Sequence, residues 1–338
     1  MNRRRFLLGA SALAACGHGP RLNVFNWSDY IHSDTVPKFE AEFKVHVHYA
    51  VYESNEEMLA RVLGGNSGWD VVFPTSYIVE PMLANQLLAP LNHDLLSNAN
   101  NLEARFQQPD WDPKLRWSIP YMVTAAGIAY NTKLGWVPEA WGDLWDPRLA
   151  GHMTMLDDPF DVLAACLKKL GRSINTGDAA ELRAAQQQAV AQKPLLRAYL
   201  NAEVRDQLVS GDVLAAHMWN TVAQQAIDAS TNIAFTYPKE GYAVYPDSMV
   251  ILRESRQQEL AHQWINFLLR PEIAAANALA ARTTTTNAAA RRLFPPAFGD
   301  NPVLYPGPDI AARGEWAKTV SAGSQRLRDR IWTEIKSA

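Results

Sequence analysis

Residues 119–131 read IPYMVTAAGIAYN, and this stretch decides how the whole chain is interpreted. It is almost entirely apolar, carries no charged side chain and has small residues at its centre, which is typical of a long buried strand. We interpret it as a strand that crosses from one domain to another. The segment SMVIL at residues 248–252 is predicted to be a second crossing strand. The chain is therefore expected to pass between two domains more than once.

Outside these segments, short strands alternate with helices. The predicted strands cover residues 22–26, 45–49, 69–73 and 213–219, and the predicted helices cover residues 34–43, 58–63, 158–170 and 260–270. This alternation predicts a layered α/β fold with largely parallel sheets. A chain of 338 residues normally forms two domains rather than one core. In such folds ligands collect at the carboxyl ends of the strands.

The first 15 residues are interpreted as an export signal that does not belong to the fold. Three arginines precede an apolar run that is too short to span a bilayer. RRRFL at residues 3–7 resembles a twin-arginine signal, and an ordinary export signal is the alternative. LAAC at residues 13–16 resembles a lipobox, in which Cys16 is lipid-modified. Residues 16–20 would then link a lipid anchor to the folded protein.

Cysteine usage and net charge narrow the classes of function. The chain has two cysteines, so lipidation of Cys16 leaves Cys166 without a disulfide partner, and Cys166 is predicted to be a core residue. The formal net charge of −3 argues against nucleic acid and against an anionic membrane surface as partners. We expect membrane contact through the lipid anchor alone.

Few residues are arranged for catalysis or metal binding. His46 and His48 share one face of a strand but have no third ligand nearby, so solvated histidines are favoured over a metal site. His217 is interpreted as a core histidine with its hydrogen bonds satisfied. The sequence has no nucleophile elbow, phosphate loop or spaced cysteine and histidine cluster. No cofactor is expected, and an exported enzyme is a remote alternative.

Seven short motifs resemble one known family in order and approximate spacing. They are NWSDY (26–30), YESNE (52–56), IPY (119–121), DLW (143–145), PKEG (238–241), DS (247–248) and NFLLRPE (266–272). The chain resembles the periplasmic spermidine/putrescine-binding proteins, which are substrate-binding components of ABC importers, from about Leu22 to its C-terminus. The resemblance implies two α/β lobes, joined by crossing strands, with ligand bound in the cleft between them. We expect residues 21–125 and 246–291 in lobe 1, and residues 126–245 and 292–338 in lobe 2.

A polyamine carries an ammonium group at each end of a flexible methylene chain. Its receptor needs carboxylates at separated positions, because removing an ammonium from water is costly without a compensating charge. Aromatic walls add cation–π attraction of about 0.5–2 kcal/mol for each contact. In FNWSDYI (25–31), Trp27 and Tyr30 are therefore interpreted as walls, Ser28 as a hydrogen-bonding group and Asp29 as an anion. The alternative is that both aromatic rings pack beneath a loop.

The resemblance places further ligand-binding residues in both lobes. Thr75, Ser76 and Tyr77 resemble the family's hydroxyl-and-tyrosine loop, and capping of a helix by Thr75 or Ser76 is the alternative. Asp158 and Asp161 resemble an acidic ligand-binding pair, with capping of their own helix as the rival interpretation.

Trp219, Tyr245 and Asp247 resemble the second aromatic platform and the principal ammonium-binding aspartate. Three positions depart from the family pattern: Thr283 stands where a tyrosine is common, Ala317 where a glutamine is frequent, and Tyr245 where some relatives have tryptophan. Thr283 is kept as a ligand-binding residue. The cleft is expected to have one wall and one amide fewer than in relatives.

These residues together predict a monomeric receptor outside the cytoplasm that binds a polyamine and delivers it to an ABC permease in the inner membrane. Closure is expected at a hinge near Ala125 and Asp247. Two alternatives stay open: a receptor for another organic cation or an amino-acid-derived ligand, and a receptor that presents its ligand to a membrane sensor.

Overall fold

The structure is a computed structural model that describes residues 19–338, so Cys16 and the predicted export signal lie outside the described residues. The strands are β1 (Arg21–Trp27), β2 (His46–Tyr52), β3 (Val71–Val72), β4 (Ile119–Asn131), β5 (Met153–Met155), β6 (Leu196–Tyr199), β7 (Ala215–Trp219), β8 (Ile233–Thr236), β9 (Tyr242–Ile251), β10 (Thr284–Thr285) and β11 (Gly314–Trp316).

The helices alternate with these strands along most of the chain. They are α1 (Thr35–Phe43), α2 (Asn55–Leu63), α3 (Ser76–Ala84), α4 (Pro159–Lys169), α5 (Ala179–Gln192), α6 (Val204–Ser210), α7 (Asn220–Ala229), α8 (Gln258–Leu268), α9 (Pro271–Ala281), α10 (Ala288–Arg291), α11 (Pro296–Gly299), α12 (Pro308–Ala311) and α13 (Ala322–Ser337). Short 3-10 turns lie between several of them, including residues Trp141–Trp145.

All the strands of the described chain belong to one continuous hydrogen-bonded network, ordered β2-β1-β3-β9-β4-β7-β5-β6 with β8, β10 and β11 attached at its centre. β4 connects the two halves: from Ile119 to Ala125 it pairs with β9, and from Ala126 to Asn131 it pairs with β7 and β8. β9 pairs with β3 at its far end, through Val250 and Ile251. The two predicted crossing strands are therefore confirmed, and they lie side by side.

The strand directions differ in part from the prediction of largely parallel sheets. Parallel pairs occur within each half, as in β1 with β2 and β5 with β6. The crossing strands instead run antiparallel to each other and to β3 and β7. The reason is topological: the chain crosses outward along β4 and returns along β9, so neighbouring crossing strands have opposite directions.

Separate apolar cores fill the two halves. One is built around Phe39, Tyr121 and Trp264, and another around Trp141, Leu163 and Ile331. Cys166 is a buried free cysteine in the second core, as expected for a core residue. Each lobe therefore has a core large enough to hold its own strand ends in place.

Gly127 allows the crossing strand to pass close to its neighbour. A Cβ atom at this position would lie 2.3 Å from Phe235 Cζ and 2.8 Å from the carbonyl oxygen of Thr236. Real Cβ atoms do not approach this closely. The small residue at the centre of IPYMVTAAGIAYN is thus required by the pairing of β4 with β8.

Two further observations concern membranes and metals. None of the helices formed by residues 19–338 is long and apolar enough to cross a membrane. The same residues contain no group of three or more histidine, cysteine, aspartate or glutamate side chains placed to hold a metal ion. His46 and His48 are exposed on β2, and Nδ1 of His46 lies 2.9 Å from a Glu40 carboxylate oxygen.

Candidate functional site

A cavity of about 100 Å³ lies where the ends of β1 and β7, the first turns of α3 and α4, and the crossing strand β9 converge. Eleven of the thirteen predicted ligand-binding residues line it: Trp27, Ser28, Asp29, Tyr30, Thr75, Tyr77, Asp158, Asp161, Trp219, Tyr245 and Asp247. These residues are far apart in the sequence. Both lobes contribute side chains to the wall of this cavity. The strand ends therefore meet where ligands bind in α/β proteins.

Asp247, together with Tyr30 and Thr75, forms the first of two acidic clusters in this cavity. It lies on β9, is 4% exposed, and accepts hydrogen bonds from the hydroxyls of Tyr30 and Thr75, each at 2.8 Å. Burial raises its pKa to about 7, although these two hydrogen bonds act in the opposite direction. Burial also raises the pKa of Tyr30, so that its hydroxyl remains a donor. Asp247 therefore changes its charge near neutral pH.

The donors to Asp247 are themselves held in place. The hydroxyl of Tyr121 donates to the carbonyl oxygen of Tyr30 at 2.9 Å. Asn55 accepts from the backbone N–H of Thr75 at 3.2 Å and donates to the Thr75 and Tyr77 hydroxyls at 3.1 and 3.2 Å. Because each partner has its own support, Asp247 has little rotational freedom.

Asp161 is the centre of the second acidic cluster, at the start of α4. It is 2% exposed and accepts hydrogen bonds from the indole of Trp219, at 2.9 Å, and from the hydroxyl of Tyr245. Burial raises the pKa of Asp161 to about 7. Burial, followed by the neighbouring charge of Asp161, raises the pKa of Asp158.

Asp158 also caps α4, because its side chain accepts from the backbone N–H of Asp161 at 3.0 Å. Pro159 follows as the first residue of that helix. The capping interpretation of Asp158 is therefore correct, and the same carboxylate lies at the cavity wall. A capping bond uses one oxygen, so the other is available to a ligand.

Aromatic rings form the wall between the two acidic clusters. Tyr77 stacks on Phe160, with ring centroids 5.0 Å apart and an interplanar angle of 16°, and Tyr245 meets Phe160 edge-on at 5.9 Å. Trp27 is fixed by a hydrogen bond of 2.8 Å from its indole N–H to the carbonyl oxygen of Phe73. Rigid aromatic faces of this kind suit the methylene groups and the charge of an organic cation.

Ser28 and Asp29, which follow β1, also line the cavity. Ser28 donates to a Glu53 carboxylate oxygen at 3.0 Å. Asp29 is exposed and has a φ of 50°, in the left-handed region that aspartate tolerates better than most residues. This conformation turns the chain sharply between Trp27 and Tyr30, so that both rings reach the cavity.

Ser76 and Thr283, by contrast, do not line the cavity as predicted. Ser76 is the first residue of α3 and is buried, and its hydroxyl has no hydrogen-bond partner within the described chain. Thr283 is fully buried and donates to the carbonyl oxygen of Val123 on β4 at 3.2 Å. The short side chain of Thr283 is therefore bonded to the crossing strand β4. The longer side chain of a tyrosine would extend further.

Ala317, another of the three departures from the family pattern, does not line the cavity either. Ala317 is 4% exposed and packs in an apolar cluster with Phe160 and Tyr245. Helix capping by Thr75 is not observed either, since its hydroxyl donates to Asp247 and makes no cap bond to α3.

Sequence reasoning missed several residues of the cavity wall: Glu53, Asn55, Thr124, Ala202, Thr221, Val222 and Gln225. Glu53 and Asn55 belong to YESNE, one of the seven motifs that resemble the family, so the sequence does point to this segment. The residues at 221, 222 and 225 lie on the first turns of α7, directly after Trp219. Only the placement of α7 against the cavity reveals them.

A two-lobe α/β fold with crossing strands, and an acidic, aromatic-lined cavity where the lobes meet, defines the class of periplasmic binding proteins. Residues 67–312 match the family described as bacterial extracellular solute-binding proteins. The chain belongs to this family of solute-binding proteins. Proteins of this class act outside the cytoplasm.

Individual relatives agree with this assignment. The chain is 33% identical to the spermidine/putrescine-binding periplasmic protein of Escherichia coli, covering 98% of each chain. It is 32% identical to the putrescine/cadaverine-binding protein of Pseudomonas aeruginosa, over 98% of this chain and 99% of the relative. A solved Listeria monocytogenes structure, assigned to spermidine/putrescine ABC transport, has a TM-score of 0.90 at 28% identity and covers 94% of this chain and 99% of its own.

Proposed function

We propose that this protein is the substrate-binding component of an ABC importer and that its cavity binds a polyamine of the putrescine and spermidine class. The observation that carries the proposal is the pair of buried acidic clusters, around Asp247 and around Asp161, in one aromatic-walled cavity. Keeping carboxylates out of water is costly for a folded protein. A cation that neutralises both clusters recovers this cost on binding.

Each group in the cavity has a role in this proposal. One ammonium is bound by Asp247, which is already held by Tyr30 and Thr75. Another is bound by Asp158 and Asp161, and the methylene chain lies between the rings of Trp27, Tyr77, Trp219 and Tyr245. The relatives from E. coli and P. aeruginosa, whose names give polyamines as ligands, support the choice of ligand class.

The proposal extends to the movement of the lobes. We place the lobe boundary within the crossing strands, with residues 21–125 and 246–291 in lobe 1 and residues 126–245 and 292–338 in lobe 2. Its support is the change of partners along β4, from β9 to β7 and β8, between Ala125 and Ala126. Closure about this point brings the two acidic clusters onto one ligand, and the closed form is recognised by the permease.

Anchoring at the membrane is a separate part of the proposal. The motif LAAC supports lipidation of Cys16 after export, with residues 16–20 as the linker to the fold. The receptor then acts as a monomer outside the cytoplasm, beside a permease in the inner membrane. Cys16→Ser should release the protein from the membrane fraction and abolish incorporation of labelled fatty acid. Unchanged labelling would contradict lipidation at this residue.

Calorimetric titration of the purified protein with putrescine, cadaverine, spermidine and spermine tests the central proposal. One polyamine should bind with micromolar or tighter affinity at pH 8. Asp247→Asn should weaken that binding by about 100-fold, because the loss of a buried charge partner costs about 2–5 kcal/mol. Asp94→Asn removes an exposed carboxylate in the same way and should leave binding unchanged. If none of the four ligands bound the folded protein, the ligand class would be different.

A further inference from the structure

His217 lies directly behind the second acidic cluster and was predicted to be a satisfied core histidine. It is 1% exposed, so it is a core residue. However, neither of its ring nitrogens has a hydrogen-bond partner in the part of the chain that the structure describes. Its Nε2 lies 3.7 Å from Oδ1 of Asp161. A buried polar group without a partner destabilises the folded state, and both ring nitrogens of His217 are such groups.

The geometry of β7 accounts for this approach. Side chains two positions apart in a strand share a face, so His217 and Trp219 project from the same side of β7. Trp219 donates to Oδ2 of Asp161, and His217 faces Oδ1 of the same carboxylate. The neighbours at 216 and 218 point to the other face of the strand and belong to one apolar cluster. One strand therefore presents two ring nitrogens to one acid, the indole nitrogen of Trp219 and Nε2 of His217.

Four elements contribute residues around the His217 ring and its acidic neighbour. The indole ring of Trp141 meets it edge-on, with centroids 4.9 Å apart, and β4 places Ile128 opposite it in register. α4 contributes Asp161, and β9 contributes Tyr245, whose hydroxyl donates to that same carboxylate. Within residues 19–338, Asp161 is the only carboxylate that approaches the ring within 4.0 Å. Asp161 is thus the acidic partner within reach of His217.

The ring itself carries no charge at physiological pH. Burial lowers the pKa of His217 to about 3, so it is a neutral imidazole with one N–H group. A neutral donor stabilises the anionic form of a nearby carboxyl group without adding a second buried charge. The 3.7 Å separation exceeds a usual N–H···O distance of about 2.9 Å by roughly 0.8 Å. A hydrogen bond between them therefore requires Nε2 and Oδ1 to move about 0.8 Å closer together.

We propose that His217 is a positioning residue of the cation site, which donates its Nε2–H to ionised Asp161 and thereby sets the pH at which this part of the site is charged. The bond satisfies the otherwise unpartnered ring and completes a set of three donors around Asp161, with Trp219 and Tyr245. The effect on ligand binding rests on the proposed function. The effect on the protonation of Asp161 is independent of the proposed function.

The first test needs no ligand. In the full-length, ligand-free protein, ¹⁵N NMR of the histidine rings should show His217 as the neutral Nε2–H tautomer at pH 8. Carboxyl ¹³C titration should show the pKa of Asp161 rising by about one unit in His217→Leu, because the donor is lost, and by less in His217→Gln, which keeps an N–H group. An Nδ1–H tautomer, or an Asp161 pKa unchanged by both variants, would overturn the proposal.

A matched control separates this effect from the general cost of removing a buried histidine. His262 is 3% exposed, and its ring nitrogens contact the backbone N–H of Asn92 at 2.9 Å and the carbonyl oxygen of Gln258 at 2.6 Å. His262→Leu should lower stability but leave the titration of Asp161 as in the wild type. A shift of equal size in this variant would show that the His217 effect is merely structural.

Polyamine titrations between pH 6 and pH 8.5 then connect the residue to function. His217→Leu should bind about tenfold more weakly than the wild type below pH 7 and nearly equally at pH 8.5, because one pKa unit corresponds to a factor of ten. A loss of the same size at every pH would contradict the positioning role. If the wild-type protein bound no polyamine while the NMR shift appeared, the proposed function would fail and the role of His217 would stand.

Discussion

The hydroxyl of Tyr30 donates to Asp247 across a separation of 217 positions in the sequence, with 2.8 Å between Oη and Oδ2. Tyr30 follows the first strand of the fold, and Asp247 lies within the second crossing strand. Their contact fixes the end of β1 against the segment at which the lobes are proposed to move. The same bond therefore both shapes the first acidic cluster and connects it to the hinge.

Tyr30→Phe tests this bond while keeping the aromatic wall. The hydrogen bond from Tyr30 lowers the pKa of Asp247, so the variant should have less of this carboxylate ionised at pH 8 and should bind polyamine about two- to tenfold more weakly. Calorimetric titration at pH 8 measures the change. An affinity equal to that of the wild type would mean that Tyr30 contributes its ring alone.

The stability of the ligand-free protein should depend on pH through its buried carboxylates. The pKa values of Asp161 and Asp247 are raised from 3.8 to about 7, so the folded state binds more protons than the unfolded state between these values. Their contribution to stability is fully present below pH 4 and is lost as the pH rises towards 7. Each unit of raised pKa corresponds to about 1.4 kcal/mol.

Asp161→Asn and Asp247→Asn should therefore unfold at higher urea concentrations than the wild type at pH 8, and at similar concentrations near pH 4. An Asn side chain has no charge to bury, so each variant loses one of the two contributions and its stability should fall less than that of the wild type over this range. Asp94→Asn serves as the exposed control and should follow the wild-type curve. Parallel pH curves for all four proteins would show that the carboxylates are not destabilising when ionised.

Ligand binding should release protons from the same groups. With two pKa values of about 7, Asp161 and Asp247 together hold about one proton at pH 7, Asp158 with its raised pKa adds to this, and a bound cation displaces at least one proton. Calorimetry in buffers of different ionisation enthalpy counts this proton directly. Release should fall towards zero at pH 9. Binding enthalpies that do not depend on the buffer at pH 7 would contradict the titration of these groups.

Much of the fold was predictable because it is encoded locally. The thirteen residues of β4 were identified from their apolar run and small centre, and the prediction matches Ile119–Asn131. The strand ends that carry Trp27, Thr75 and Trp219 follow from turn and strand patterns in the same way. The antiparallel pairing of β4 with β9 was not predicted, since it depends on which way the chain returns between the lobes.

The site was predicted less completely, because side-chain direction depends on packing from distant segments. Thr283 was expected at the wall but is engaged with β4, and Asn55 was overlooked although it orients Thr75. The missing partners of His217 could not be foreseen either. An apolar strand shows that a histidine is buried, but not whether its nitrogens are bonded.

The crossing strand offers a test of the fold itself. Gly127→Ala places a Cβ atom against Phe235 and the carbonyl oxygen of Thr236, so β4 or β8 must shift, at a cost of about 1–3 kcal/mol. Urea unfolding measures this loss. Gly177→Ala has no atom within 4 Å of the added Cβ and should change stability little. Equal stability of the two variants would show that the close approach at Gly127 is not needed.

The most direct test is the structure of a complex between the protein and the polyamine that binds most tightly. It shows whether Asp247 and the pair Asp158 and Asp161 each bind an ammonium group. We expect one ammonium nitrogen at about 2.7–2.9 Å from the Asp247 carboxylate and another at a similar distance from Asp158 or Asp161. The methylene chain should lie against the rings of Tyr77 and Tyr245. A polyamine bound outside this cavity, or bound within it without contact to Asp247, would contradict the proposal that the two acidic clusters bind the ligand.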